Sequence, residues 1–93
     1  MNNGLAMLAI LMMHSDKDHT LKQRDIQQLL KEEYGFRVDR ETIRRNISDM
    51  IELGLPVGYT NFNRAGSEDV ITDIYFNELK RIRFRGYYKE LIK

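Results

Sequence analysis

The stretch Tyr34–Leu55, YGFRVDRETIRRNISDMIELGL, constrains this chain more than any other. Gly35 closes one apolar-periodic run, Asp39 opens a second, and Gly54 with Pro56 ends it. Glycine lacks a Cβ and accepts the left-handed backbone that terminates helices. An aspartate carboxylate accepts from the backbone N–H groups that a helix start leaves orphaned, and proline cannot continue a helix. These signals predict two helices joined by a short turn. On the second, Ile43, Ile47, Met50 and Gly54 fall on one line, with Ile51 flanking, and form the core face. The outer arc carries Glu41, Thr42, Arg45, Ser48, Asp49 and Glu52, with Arg44 beside it and Arg40 on the first turn.

The earlier helix of the pair is expected to start at Thr20. Thr20 and Gln23 have capping-box spacing, in which each side chain satisfies the other's orphan backbone donor. Ile26, Leu29, Leu30 and Tyr34 then form one apolar face. Lys22, Gln23 and Arg24 occupy its first turn. Ahead of it, a helix from Leu5 to His14 is apolar on all sides. Leu5, Leu8, Leu11 and Met12 are assigned to its core face, and Ala6, Ile10 and Met13 to the opposite one. That second apolar face calls for a cover: the C-terminal segment, a second copy of the chain, or another domain. The loop His14–His19 between the helices holds two histidines and two aspartates. Lacking any other His or Cys in the chain to complete a site, it reads as a solvated loop and not a metal site.

After Pro56 the periodicity changes. Val57, Tyr59 and Asn61 begin a strand, residues 63–67 form a turn-rich tip, and Val70–Phe76 returns as a β-rich run. The expected product is a hairpin, a wing, with Ile74 and Tyr75 packing on the helices. In residues 77–93, Leu79, Ile82, Leu91 and Ile92 permit a helix, whereas Ile82 and Phe84 alternate with arginines and Gly86 interrupts. We expect helix on either side of Gly86. The run KRIRFRGYYK suits a phosphate backbone, an acidic partner, or packing against the first helix.

The 93 residues fit one domain, with a core over 4–76 and a basic extension over 77–93. The net charge of +1 conceals an asymmetry. Residues 1–76 hold nine Lys/Arg against twelve Asp/Glu, a balance of −3, and residues 77–93 hold six against two, a balance of +4. The absence of cysteine excludes disulfides and thiolate metal sites and fits a reducing compartment. The apolar run Leu5–Met13 is far shorter than the roughly 20 residues of a membrane span. It also lacks the flanks of a signal peptide. The expectation is a cytoplasmic protein without membrane contact. The sequence carries no glycine-rich phosphate loop, no cysteine nucleophile and no histidine set beside a carboxylate on a rigid element, so an enzyme is not expected. No cofactor is implied.

The run VDRETIRRNISDMIELGLP, Val38–Pro56, resembles the winged helix-turn-helix found at the N-terminus of bacterial WYL-domain transcriptional regulators. Leu21–Ile26 occupies the place of that family's preceding helix, and Val70–Asn77 looks like its return strand, so the resemblance covers about residues 4–79. Asn46 stands where many relatives carry Asp. The effector-sensing WYL domain does not follow, and residues 80–93 do not resemble its beginning, so a stand-alone wing domain is expected.

The fold class is thus mainly α with a small β-hairpin, a three-helix core plus wing. Arginine can fork onto a guanine edge, and Thr or Ser can contact either class of base. The first helix of such a pair lies across the DNA backbone. The resemblance implies binding of double-stranded DNA through Arg40, Thr42, Arg44, Arg45 and their neighbours. The residues add Glu41 and Ser48 on the same helix, Lys22, Gln23 and Arg24 on the backbone, and Asn63 and Arg64 at the wing tip. The expected function is a sequence-specific transcriptional regulator, a repressor of bacterial or phage type. Dimerisation would run through the first helix and the C-terminal segment. The alternative is a winged helix that grips a protein, a small inhibitor or adaptor, favoured by the acidic body and by Asp49 and Glu52 on the outer arc.

Overall fold

The computed structural model describes residues 2–62 and 70–78. Three helices, α1 (Asn3–His14), α2 (Gln23–Tyr34) and α3 (Arg40–Glu52), precede an antiparallel hairpin of β1 (Val57–Phe62) and β2 (Val70–Phe76). The architecture is a winged helix: a helix pair, a third helix behind it, and a two-stranded wing.

The turn chemistry acts as the sequence predicts. Gly35 ends α2 at φ 70°, with its N–H on the Lys31 carbonyl and the Phe36 N–H on that of Leu30. Asp39 caps α3, its carboxylate accepting the Thr42 N–H at 2.7 Å. At the far end Gly54 takes φ 77°, and the N–H groups of Gly54 and Leu55 bond back to Ile51 and Met50. This is the six-to-one and five-to-two pattern of a Schellman stop. Between the helices, the Gln27 amide donates to the Val38 carbonyl at 2.8 Å, and the Tyr34 and Phe36 rings stack with centroids 6.0 Å apart. The turn is therefore braced from both sides.

The start of α2 differs from the expected one by two residues. Its N-cap is Lys22, not Thr20, and the Lys22 N–H donates to the Asp25 carboxylate at 2.9 Å. A lysine side chain has no acceptor, so only that half of a capping box forms. The cause is long-range. Leu21 exchanges two backbone hydrogen bonds with Ile74 of β2, at 2.7 and 2.8 Å, which holds this segment extended like a short third strand. Backbone pairing overrides the local signal at Thr20. The Gln23 side chain, instead of closing a capping box, donates to the Ile71 carbonyl at 2.8 Å and adds a further tie to β2.

The burial of α1 also corrects the sequence reading. Ala6, Met7, Ile10 and Leu11 are buried, while Leu5, Met12 and Met13 are 60%, 56% and 69% exposed. The apolar residues encircle the helix, so periodicity carries no information about its inner face. Packing against α2, α3 and β2 makes the choice. Residues from every element complete the core: Ile26 and Leu30 of α2, Ile43, Ile47 and Met50 of α3, Val57 of β1, and Ile71, Ile74 and Phe76 of β2.

In β2 the buried residues break strict alternation, since Ile71 and Ile74 are three apart. A bulge resolves this. Gly58 pairs with Tyr75 and Thr60 with Thr72, so Tyr59 faces two residues, and Asp73 takes φ 51°. One extra residue shifts the side-chain phase and puts Ile71, Ile74 and Phe76 on the same face. Tyr75, expected on the helices, is half-buried and lies over Gly58 of the paired strand.

A Cβ at Gly58 would overlap the Tyr75 ring. Gly58→Ala is expected to cost about 1–3 kcal/mol, as overpacking does. In a Tyr75→Ala background the cost should vanish. Urea unfolding of the four chains in a double-mutant cycle checks this, and an equal cost in both backgrounds refutes it.

Candidate nucleic-acid interface

The first half of α3 and the turn before it concentrate positive charge. Residues 37–45 hold Arg37, Arg40, Arg44 and Arg45 against Asp39 and Glu41, a balance of 4 − 2 = +2, whereas residues 46–52 hold only Asp49 and Glu52, a balance of −2. The helix N-terminus adds its own partial positive charge, so field and side chains point the same way.

Each cation in this region has a distinct setting. Arg44 forks onto Glu41, with Nη2 at 2.5 Å and Nε at 3.2 Å from the two carboxylate oxygens, and both side chains remain partly exposed. Arg40 and Arg45 are exposed, and among the described residues neither lies within ion-pair distance of a carboxylate. Arg45 still feels Asp39 and Glu41 at longer range. Thr42 and Ser48 are half-buried on the same helix.

Two carboxyls at the start of α3, Asp39 and Glu41, have their pKa lowered. The Thr42 backbone N–H, then the Thr42 side chain and the charge of Arg45, keep the Asp39 carboxyl below the usual aspartate range. A hydrogen bond from Arg44, then the charges of Arg44 and Arg45, does the same for Glu41.

Beside α3 lies an open groove of about 640 Å3, lined by Arg24, Gln27, Gln28 and Lys31 of α2 and by residues 37–39 of the turn. Three cations, Arg24, Lys31 and Arg37, border it against one acid, Asp39, whose carboxylate already accepts the Thr42 N–H. A groove of this composition can hold an anionic backbone. Gln27, Gln28, Lys31 and Arg37 were not among the residues singled out from sequence. The signal for three of them was present: Arg24, Gln27, Gln28 and Lys31 recur at helical three- and four-residue steps, one continuous polar stripe. Arg37 carries no periodic signal, because it lies in the turn.

The other sequence candidates divide. Arg24 lines the groove, and Lys22 is exposed at the N-cap of α2. The Gln23 amide is engaged with Ile71. Asn63 and Arg64 at the wing tip lie outside the described residues, as does the basic segment from residue 79. The loop after α1 is closed on itself by Asp16, whose carboxylate accepts the Asp18 and His19 N–H groups at 2.8 Å and the His19 ring at 2.9 Å. His14 reaches away to Glu33 of α2 at 2.6 Å. Among the described residues no group of three or more His, Cys, Asp or Glu converges as metal ligands would.

The depressed carboxyl pKa values set a pH dependence. A carboxyl whose folded pKa lies below its unfolded value stabilises the fold above the unfolded value, near pH 4, and that contribution is lost as pH falls through the folded one. Asp39→Asn keeps an oxygen for the Thr42 N–H but does not titrate. It should flatten the fall in stability below about pH 4 while leaving the fold intact at neutral pH. Denaturant unfolding across a pH series, with a carboxyl-carbon titration of Asp39, measures both. An unchanged acid limb, or an Asp39 midpoint at the unfolded value, would overturn the assignment.

No protein-family profile matches this chain, and no curated protein sequence does. Among solved structures, the fold is similar to that of Bacillus subtilis PadR, crystallised in complex with operator DNA. The match has a TM-score of 0.54 at 14% identity, over 91% of this chain and 46% of the PadR chain. This chain therefore spans about half the length of that protein. At such low identity the likeness is one of fold, and it is the winged-helix fold that the two chains have in common.

Proposed function

We propose that this chain is a DNA-binding transcriptional regulator. In this reading the N-terminal half of α3 enters the major groove, the α2 groove follows the phosphate backbone, and the hairpin tip reaches the adjacent backbone or minor groove. The observation that carries it is the grouping of Arg24, Lys31, Arg37, Arg40 and Arg45 around the N-terminal end of α3, with the acids Asp49 and Glu52 confined to its last turns. Recognition helices read base edges from their N-terminal residues, and DNA diverges from the helix beyond them. The likeness in fold to PadR, whose structure contains operator DNA, supports the same reading. So do the residues of α3, which resemble those of WYL-domain regulators. Sequence-specific recognition by Arg40, Thr42, Arg45 and Ser48, repression, dimerisation and a cytoplasmic location are all part of the proposal.

The pairing of Arg44 with Glu41 favours a second reading, a protein-binding winged helix. A charge pair exposed on the recognition face presents both signs, which suits a polar protein surface better than a polyanion.

Selection from random duplexes separates the two. The regulator reading expects enrichment of a defined site. Arg45→Ala should then weaken binding to that site by about 1–3 kcal/mol, roughly 5- to 150-fold, and relax preference at one or two positions. Lys31→Ala and Arg37→Ala should weaken all sequences alike, each lowering the slope of log K against log salt by about 1. Retention that is sequence-blind and insensitive to these substitutions would overturn it. A stable stoichiometric partner recovered after nuclease treatment would favour the second reading.

A further inference from the structure

One face of α1 has no partner among the described elements. Leu5, Ala9, Met12 and Met13 lie on the side away from the buried Ala6, Met7, Ile10 and Leu11, Leu8 at its edge packs partly on the core, and Leu5, Met12 and Met13 are more than half exposed. The stripe contains no polar residue, and contiguous apolar surface of this kind marks a docking site. We infer that residues 79–93 of the same chain cover it.

Three observations select that occupant. The first is where the chain leaves the fold. The Ser15 hydroxyl, at the C-terminal end of α1, donates to the Leu11 carbonyl at 2.6 Å and accepts the Phe76 N–H at 2.9 Å. Leu8, Leu11 and Ser15 follow at three- and four-residue steps, one ridge of the helix, directly beside the stripe. The last residue of β2 is thus fastened to the edge of the uncovered face.

The second is length. The twelve residues of α1 span about 18 Å. The 15 residues from 79 to 93 span about 22 Å as a helix and about 50 Å extended, so a single pass covers the stripe in either conformation.

The third is composition and area. Leu79, Ile82, Phe84, Leu91 and Ile92 supply apolar side chains, while the six Lys and Arg of residues 77–93 are long enough to keep their charges in water. A second copy of α1 is a poorer fit, because one face of a three-turn helix falls well short of the about 800 Å2 per partner of a stable interface.

The inference rests on the fold and not on what α3 binds. The chain has no cysteine, so Met12→Cys creates a unique thiol for a nitroxide label on the full chain. Amides of residues 79–93 should lose most of their intensity in the labelled chain, whereas a label at Glu52→Cys should leave them largely intact. In a mixture of isotope-labelled wild type with spin-labelled, unenriched Met12→Cys, no broadening is expected. Broadening in the mixture would place a second copy on the face, and unbroadened amides in both samples would leave it uncovered. Either result overturns the inference. As an independent readout, Met12→Lys should lower Tm by several degrees, and an unchanged Tm counts against it.

Discussion

Two backbone hydrogen bonds, exchanged between Leu21 and Ile74, set the geometry on which the rest of the molecule depends. They keep the segment before α2 extended, and therefore decide at which residue α2 begins. They bring β2 beneath the helices, where Ile74 is fully buried, and the Gln23 amide bond to Ile71 adds a further tie at the same junction. The bulge at Asp73 makes this compatible with a hairpin. Without the extra residue, Ile71 and Ile74 would face opposite sides of the sheet, and one of them would leave the core. The wing is thus part of the scaffold at its base.

From this junction the position of α3 follows in short steps. The length of α2 is set at one end by the Leu21 pairing and at the other by Gly35. The turn from Gly35 to Asp39 is held by the Gln27–Val38 bond and by the stacked Tyr34 and Phe36 rings. Asp39 then starts α3 with its N-terminus beside the polar stripe of α2. Two features distant in sequence, the α2 stripe and the first turn of α3, become one cationic surface because the turn between them is only five residues long. Along α3, Asp49 and Glu52 follow two to three turns after Arg40, although Asp49 is only one turn from Arg45.

Much of this was legible from residues. Gly35, Asp39, Gly54 and Pro56 act through their own backbone chemistry, which neighbours seldom override, so the limits of α3 and the end of α2 follow from sequence alone. Signals that compete with long-range contacts read less well. Thr20 and Gln23 have the spacing of a cap, yet the pairing of Leu21 with Ile74, 53 positions later, cannot be inferred from it. The inner face of α1 was not legible at all, since a helix apolar on every side gives periodicity nothing to choose between. In the candidate interface, Arg40 and Arg45 were evident from helical phase. Arg37 was not, because a turn residue acquires its neighbours only when the two helices fold against each other.

Two features depart from a plain helix-turn-helix: the apolar outer stripe of α1 and the acids on α3. A docking element on α1, as inferred above, would add core to a chain whose size leaves it short of buried area. Asp49, Glu52 and the ionised Glu41 weaken attraction to any polyanion, whatever its sequence. A domain so built gains little from charge alone, since the residues 1–76 balance is −3. On the proposed DNA-binding reading, discrimination would come from contacts in which geometry matters, and an arginine fork is the side chain best suited to them. Arg44 already shows such a fork, closed on Glu41. Both side chains are partly exposed, so water can take up either group when the pair opens, and a ligand that satisfies the guanidinium and the carboxylate together gains most from opening it. A guanine edge for Arg44 beside a cytosine amino group for Glu41 meets that condition, as does a complementary ion pair on a protein. On the proposed reading Glu41 would act as a filter, disfavouring ligands that offer negative charge and nothing else.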